Sequence, residues 1–495
     1  MLERFFKKRM VWAFTTYFAE GFPFTVIRPV SSVFFRDMKV SLENIGMTSL
    51  FGLPWILKFL WAPLLDQYST KRRWMLYTQG FLALMMILSA ALSSLSMGVP
   101  LIAALFFIGA FIAATHDTAI DGYYLEALDE AGQARYVGYR VMAYRIAMMA
   151  GTGVIVTLGT TIGWPVAFGT AAAIFSLLFF IHLRWLAEVE SPRENFRSMF
   201  RSLARPRVLL ISLLVSGVVV LFRLFFQSST YLSLKTTYPL LGKFHFSHWV
   251  AIILCLLLVT LALAKNRIRQ SLERRKDGRF AQTFLSFVDR DSMGVIFVFI
   301  MFLRAGEFML TTMVSPMIVD LGMKVHYGWI SAGVGLPASI AGALLGGMAI
   351  SRIGLKKVAF PIILFQNSTN ILYMLLAFYL APALHPANGP QTFNVILVAV
   401  VHGVEQLSGG MGTAVLMAFL MSLCKKEFKA SHYAIGSGLM AVSGLFAGVA
   451  SGFTASSLGY GWTFGLSFVV AAPALMVAPF LPGRPPDAEI ATPVS

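Results

Sequence analysis

Residues 111–128, FIAATHDTAIDGYYLEAL, decide how this chain is read. The ten residues before them, LIAALFFIGA, are wholly apolar, and Asp117 and Asp121 follow in the same run. A helix advances about 100° per residue, so the two aspartates share one face a turn apart, and Tyr124 and Leu128 continue that stripe. A charge at the bilayer centre costs roughly 2.5–3.5 kcal/mol on insertion scales, so such residues face a partner or a watery cavity. The stretch reads as the inner lining of a protein that crosses the membrane many times.

The composition agrees. Of 495 residues, 57% are apolar and only 13% charged, and the mean hydropathy is +0.73. Soluble domains run near 25% charged. Apolar runs of about 20 residues recur from end to end, each long enough for a hydrocarbon core of roughly 30 Å. The start, MLERFFKKRM followed by VWAFTTYFAEGFPF, has no small-residue cleavage site and reads as a retained first helix. Cys255 and Cys424 are the only cysteines, too few for a disulfide framework or a metal cluster, so neither metal nor cofactor is expected.

Spans are expected at about 10–35, 44–65, 74–96, 100–128, 137–160 and 163–186. An inserted pair follows at about 208–226 and 247–265, and six more lie near 292–317, 327–350, 357–382, 391–423, 431–456 and 460–481. The two groups of six are numbered helices 1 to 12 and the inserted pair is left unnumbered. This predicts an all-α polytopic protein with about fourteen transmembrane helices. Its parts are an N-terminal six-helix bundle (1–190), a connector carrying the inserted pair and a basic segment (191–290), a second bundle (291–483) and a tail (484–495).

The net charge of +17 is distributed on one side. Lys7, Lys8 and Arg9 precede helix 1; Lys71, Arg72 and Arg73 follow helix 2; Arg352, Lys356 and Lys357 follow helix 8; Lys425, Lys426 and Lys429 follow helix 10. The connector adds many more, whereas the alternate loops SSLSMGVP, APALHPANGPQ and SSLGYGW hold no Lys or Arg. Exceptions include FRDMK after helix 1 and Lys235 and Lys243 in the inserted pair. The positive-inside rule makes the basic face cytoplasmic, with both termini on it. Anionic lipid, attracting about 1 kcal/mol per basic residue near the surface, accounts for the charge without nucleic acid.

Six plus six helices suggests a duplication. WAPLLDQYSTKRRW after helix 2 and GGMAISRIGLKKVA after helix 8 both end an apolar helix and run into a basic doublet, and AEGFPF and AGEFML each put a glutamate within helices 1 and 7. Repeated halves with a solute site between them are the plan of many secondary transporters.

Depth separates the buried charges. Arg145 lies about 8 residues into helix 5, Asp121 about 7 from the end of helix 4 and Lys58 about 8 from the end of helix 2, so at about 1.5 Å per residue the three share a level. They read as a structural or gating group. Asp117 lies about 6 Å deeper, without a cation matched to its depth, and is the candidate for protonation or solute contact. Glu20, Glu307 and Glu405 lie at depth in helices 1, 7 and 10; Arg304 shares a face with Glu307, and His402 and Gln406 accompany Glu405. Acids on helices 1, 4, 7 and 10, the first of each three-helix unit, suit a central polar cavity. Arg28 reads as snorkelling to the outer interface, with attraction of an anionic solute as the alternative.

These residues also carry a resemblance. LKFLWAPLLDQYSTKRRWMLYTQG and THDTAIDGYYLEAL resemble the helix 2–3 and helix 4 motifs of the peptide/acetyl-coenzyme A transporter family within the major facilitator superfamily. FLRAGEFMLTTMVSPMIVDLGM and EQLSGGMGTAVLMAFLMSLCKKEF are similar to helices 7 and 10 of AmpG-type muropeptide permeases. His116 and Tyr123 depart from the motif's Gln and Trp, and the resemblance skips about 195–290. It implies the major facilitator fold and proton-driven uptake of muropeptides, or of acyl-coenzyme A or another anionic solute, across a bacterial inner membrane by a monomer. It puts Lys58, Asp66, Asp117, Asp121, Arg145, Glu307 and Glu405 at motif positions. Arg304 and Tyr124 are taken with the solute and proton site, and Arg72 and Arg73 with Lys58, Asp66 and Arg145 as gating or structural pairs. The competing readings are a membrane-embedded acyltransferase using His116, His402 or His432 and a non-transporting receptor. Scattered histidines with no nucleophile spacing speak against the first, and no GxxxxGK[ST] pattern supplies ATP.

Overall fold

The computed structural model describes residues 9–189 and 279–480, with breaks at 96, 291, 387–388 and 426–428, and scattered residues between 194 and 274. Among the described residues the regular elements are helices, and the one extended pairing is an isolated bridge between Tyr68 and Glu194.

Helices 1–12 of the sequence become α1–α12. The first, α1, spans 9–37 as Arg9–Thr25, a π-helical stretch Val26–Val30 and Ser31–Asp37. The second, α2 (42–67), is broken twice by 3-10 turns, at Thr48–Gly52 and Lys58–Leu60. Then come α3 Lys71–Leu92, α4 Gly98–Ala127, α5 (130–161), α6 Trp164–Trp185, α7 Met293–Asp320, α8 Lys324–Ile353, α9 Leu355–Leu380 and α10 Thr392–Ser422. A continuous helix Lys429–Val477 breaks at Gly459 (φ 81°) into α11 and α12. The left-handed backbone there suits glycine, as it does at Gly354 (φ 93°) between α8 and α9.

Nine stretches among the described residues are long and apolar enough to cross a bilayer, α11 and α12 counting as one. The broken helices α1 and α2, which carry Glu20, Arg28 and Lys58, are not among them. Pro23 and Pro29 in α1 and Pro54 and Pro63 in α2 remove backbone donors at or near those breaks. The starts of α3 and α5 are capped by side chains: Thr70 Oγ1 accepts from Arg73 N (3.3 Å) at α3, and Asp129 Oδ1 accepts from Gly132 N (3.1 Å) at α5. That last cap starts α5 at Glu130, seven residues before the expected 137.

The inserted spans at 208–226 and 247–265 lie largely outside the described residues. A short helix Ser229–Thr237 is described, and the His248 ring meets Phe453 of α11 at 4.7 Å. At the connector's end, Ser286 Oγ and Arg290 Nη2 flank the ring of His432 at 2.9 and 2.7 Å, which ties the segment before α7 to the start of α11.

The packing is unequal at the two ends. At the end of the apolar loops one buried core runs through both halves, joining Phe34, Phe35, Trp164 and Phe168 to Met313, Met317, Tyr327 and Phe464. At the basic end the halves have separate cores: Trp12, Tyr17, Leu65, Tyr123 and Leu186 in one, Phe299, Leu303, Ile363 and Phe419 in the other. The molecule is therefore sealed at the apolar-loop end and parted at the basic end.

Candidate functional site

The first charge cluster lies within α1, α2, α4 and α5. Lys58 pairs with Asp117. Arg140 Nη2 pairs with Asp121 Oδ1 at 2.9 Å, and Tyr17 OH donates to the same oxygen at 2.9 Å. The Arg140 guanidinium also lies over the Tyr17 ring, 4.4 Å from its centre. Glu20 lies near Asp117 and Asp121, and its buried Oε2 has no hydrogen-bond partner among the described residues. Tyr124 OH donates to the Gln133 carbonyl (2.6 Å) and packs edge-on to Tyr17, so it braces the cluster.

This corrects the expected pairing. Asp117 has a cation, Lys58, and Asp121 is held by Arg140 rather than by Arg145 or Lys58. The early start of α5 is the reason, since it carries Arg140 ten residues into the helix instead of leaving it at the interface. Arg145 makes no hydrogen bond or ion pair among the described residues.

The second cluster is in the other half. Arg304 Nη1 pairs with Glu307 Oε2 at 2.5 Å, and Gln366 Nε2 of α9 donates to the same oxygen at 2.7 Å. Glu405 is buried and accepts from Gln406 Nε2 (2.9 Å); His402 Nδ1 stands 3.8 Å from it and 2.9 Å from Tyr373 OH. Arg140, Tyr17 and Gln366 were missed from sequence. The acidic cap before α5 would have brought in Arg140. The polar run QNSTN (366–370) inside an apolar helix marks Gln366.

A cavity of about 260 Å³ lies between the halves. Met148 and Thr152 of α5, Thr311 and Ser315 of α7, Ser331 of α8 and Glu405 of α10 are among its walls. Thr311 Oγ1 donates to the Glu307 carbonyl (2.9 Å), which places Glu307 one turn from the cavity on the basic side.

The seal at the apolar-loop end is polar as well as apolar. Arg36 grips both carboxylate oxygens of Asp320, its Nε at 2.6 Å from Oδ1, and Tyr460 OH donates to Oδ2 at 2.6 Å. Lys324 Nζ meets Asp37 Oδ1 at 2.6 Å, with Trp164 Nε1 on the other oxygen at 2.8 Å. Ser32 and Ser315 hydroxyls meet at 2.9 Å. Among the described residues these are the hydrogen bonds and ion pairs that join α1 to α7 and α8. Gly46 and Gly452 touch backbone to backbone, so that a Cβ on Gly46 would come 2.9 Å from the Gly452 Cα.

The remaining candidates are peripheral. Arg72 Nε and Nη2 donate to the carbonyls of Leu186 and Leu183 (2.7 and 2.8 Å), capping the end of α6. Arg73 meets Glu188 at 3.3 Å with both side chains exposed. The side chain of Asp66 lies outside the described residues. Arg28 does not snorkel: its Nη1 donates to Thr48 O (3.2 Å) and Ser49 O (2.9 Å), carbonyls of the first 3-10 turn of α2. His116 is buried edge-on to Phe175, its Nε2 without a hydrogen-bond partner among the described residues. No group of three or more His, Cys, Asp or Glu converges among the described residues in a way that would hold a metal.

Comparison with known proteins follows this geometry. Residues 13–287 and 296–494 match the profile of the Major Facilitator Superfamily. The anhydromuropeptide permease of Escherichia coli strain K12 is 25% identical over 93% of this chain and 77% of its own. An uncharacterized protein of Haemophilus influenzae is 24% identical over 95% and 94%. Among solved structures, a peptide transporter POT in complex with sulfate superposes with a TM-score of 0.64 at 12% identity, covering 95% of this chain and 94% of its own. The inward-open xylose transporter XylE from E. coli gives 0.56 at 13%, covering 96% and 95%. This chain, helical across its described residues and with many membrane spans, belongs to the Major Facilitator Superfamily and is a membrane transporter rather than an enzyme.

Proposed function

We propose that the protein carries muropeptides inward across the bacterial inner membrane by proton-coupled alternating access, with the basic loops in the cytoplasm. The likeness to the anhydromuropeptide permease supports the solute, and the basic loops support the orientation. One observation carries the coupling. In the first cluster three carboxyls, Glu20, Asp117 and Asp121, face two engaged cations, Lys58 and Arg140, and Glu20 keeps a buried oxygen without a partner. A proton on that cluster balances its charge, as desolvated carboxyls require. Glu20 is thus the coupling residue, close enough to Asp117 for its charge to bear on the Lys58–Asp117 pair. Arg36, Asp320, Lys324 and Asp37 act as the outer gate, joined when the cavity faces the basic end and parted when it faces outward.

The test is uptake of anhydro-muropeptide by proteoliposomes. Glu20→Gln is expected to retain counterflow exchange but lose gradient-driven accumulation, because the amide mimics the protonated carboxyl permanently. Accumulation at the wild-type level would remove Glu20 from the coupling step.

A further inference from the structure

We propose that Arg145 is the anion-recognition residue of the central cavity, taking a carboxylate or phosphate group of the transported solute. The inference rests on the transport reading above and adds a chemical requirement to the solute: it must carry an anionic oxygen group.

The geometry begins with the face of α5. Arg145 precedes Met148 by three residues within the α-helical part of α5, and residues three apart are neighbours on a helix surface. Met148 and Thr152 line the cavity between the halves, so Arg145 continues their wall one turn toward the open, basic end. Its side chain is partly accessible.

Charge bookkeeping separates it from its neighbours. Lys58 is engaged by Asp117, Arg140 by Asp121 and Tyr17, and Arg304 by Glu307. Arg145 alone among these membrane-depth cations makes no hydrogen bond or ion pair with the described residues. A guanidinium cannot discard its proton inside a protein, so its charge persists at membrane depth and must be met by water or by a bound anion. Its planar fork matches a carboxylate or phosphate in two parallel hydrogen bonds.

The opposite wall supplies the contrast. At about 1.5 Å per residue, Arg145 and Glu307 each lie roughly 21–22 Å in from the basic ends of α5 and α7, and Glu405 lies a few ångströms further from the basic end of α10. A solute spanning the cavity would meet a cation on one half and carboxyls with amide partners, Gln366 and Gln406, on the other. That polarity fits a peptide-like molecule with a carboxylate at one end and hydrogen-bond donors at the other.

Two measurements test this, both in nonionic detergent free of phospholipid so that no lipid headgroup contributes. In the first, phenylglyoxal labelling of Arg145 is followed by mass spectrometry with and without inorganic phosphate or acetate. Either anion is expected to protect Arg145 selectively; absence of protection by both overturns the assignment whatever the solute is. In the second, binding of an anhydro-muropeptide and of its fully amidated analogue is compared in wild type, Arg145→Lys and Arg145→Gln. Loss of a charge-assisted contact is expected to weaken binding of the acid by roughly ten- to a hundredfold in Arg145→Gln. The amidated analogue should bind both proteins alike, and Arg145→Lys should retain part of the preference for the acid. Equal weakening of acid and amide would mark a structural role and overturn the proposal. Failure of wild type to bind either compound refutes the muropeptide reading, and the labelling experiment then decides the role of Arg145 by itself.

Discussion

Lys58 and Arg140 divide the two aspartates of α4 between them, and chain direction decides which cation takes which. A Cα–Cβ bond tilts toward its helix N-terminus. Helix α2 starts at the sealed end, so Lys58 reaches deeper, to Asp117; α5 starts at the basic end, so Arg140 reaches back toward Asp121. Counting residues from helix ends gave depth but not this direction, which is why the paired acids were legible in the sequence and their partners were not. The Lys58–Asp117 pair is the more buried, with side-chain exposures of 33% and 13%. Asp117→Asn is expected to destabilise the protein by about 3 kcal/mol, the lower end for a broken buried pair because Lys58 retains some solvent. Lys58→Met combined with Asp117→Asn should recover most of that loss in thermal unfolding in detergent. Simple additivity of the two single costs would show that the residues are not coupled.

At the scale of elements, the twelve core helices were legible because each needs about 20 apolar residues, a signal that survives single charges. The breaks were not. The π-helical stretches in α1, α5 and α8 and the 3-10 turns in α2 arise where prolines and small residues meet a neighbouring helix, and sequence periodicity does not report the neighbour. The contact of Gly46 with Gly452 is of that kind. A Cβ on Gly452 would meet the Leu42 carbonyl at 2.5 Å and the Gly46 Cα at 2.9 Å, both backbone atoms that cannot swing aside. Gly452→Leu should therefore prop the outer end apart. With Ser331→Cys as reporter in a background lacking Cys255 and Cys424, a membrane-impermeant maleimide added outside should label Gly452→Leu faster than its parent. Unchanged labelling would mean that α2 and α11 shift together and the seal survives.

For the whole molecule, the alternation of basic and uncharged loops predicts a single orientation. An alkaline phosphatase fusion at 280 is expected to be inactive and one in the loop at 384–391 active; activity at both, or the reverse pattern, would contradict it. The unequal cores have a further consequence for population. Facing the basic end, the protein keeps one apolar core whole across both halves, whereas a form open at the other end must split that core between the halves. That cost weighs against the outward form, which is expected to be the minority species at rest. A solute arriving from outside binds only that fraction, so its apparent affinity falls below its intrinsic affinity by the same factor. Under the uptake proposed above, part of the solute's binding energy would go into parting that core, and restoring it would help drive the return that carries the cargo inward.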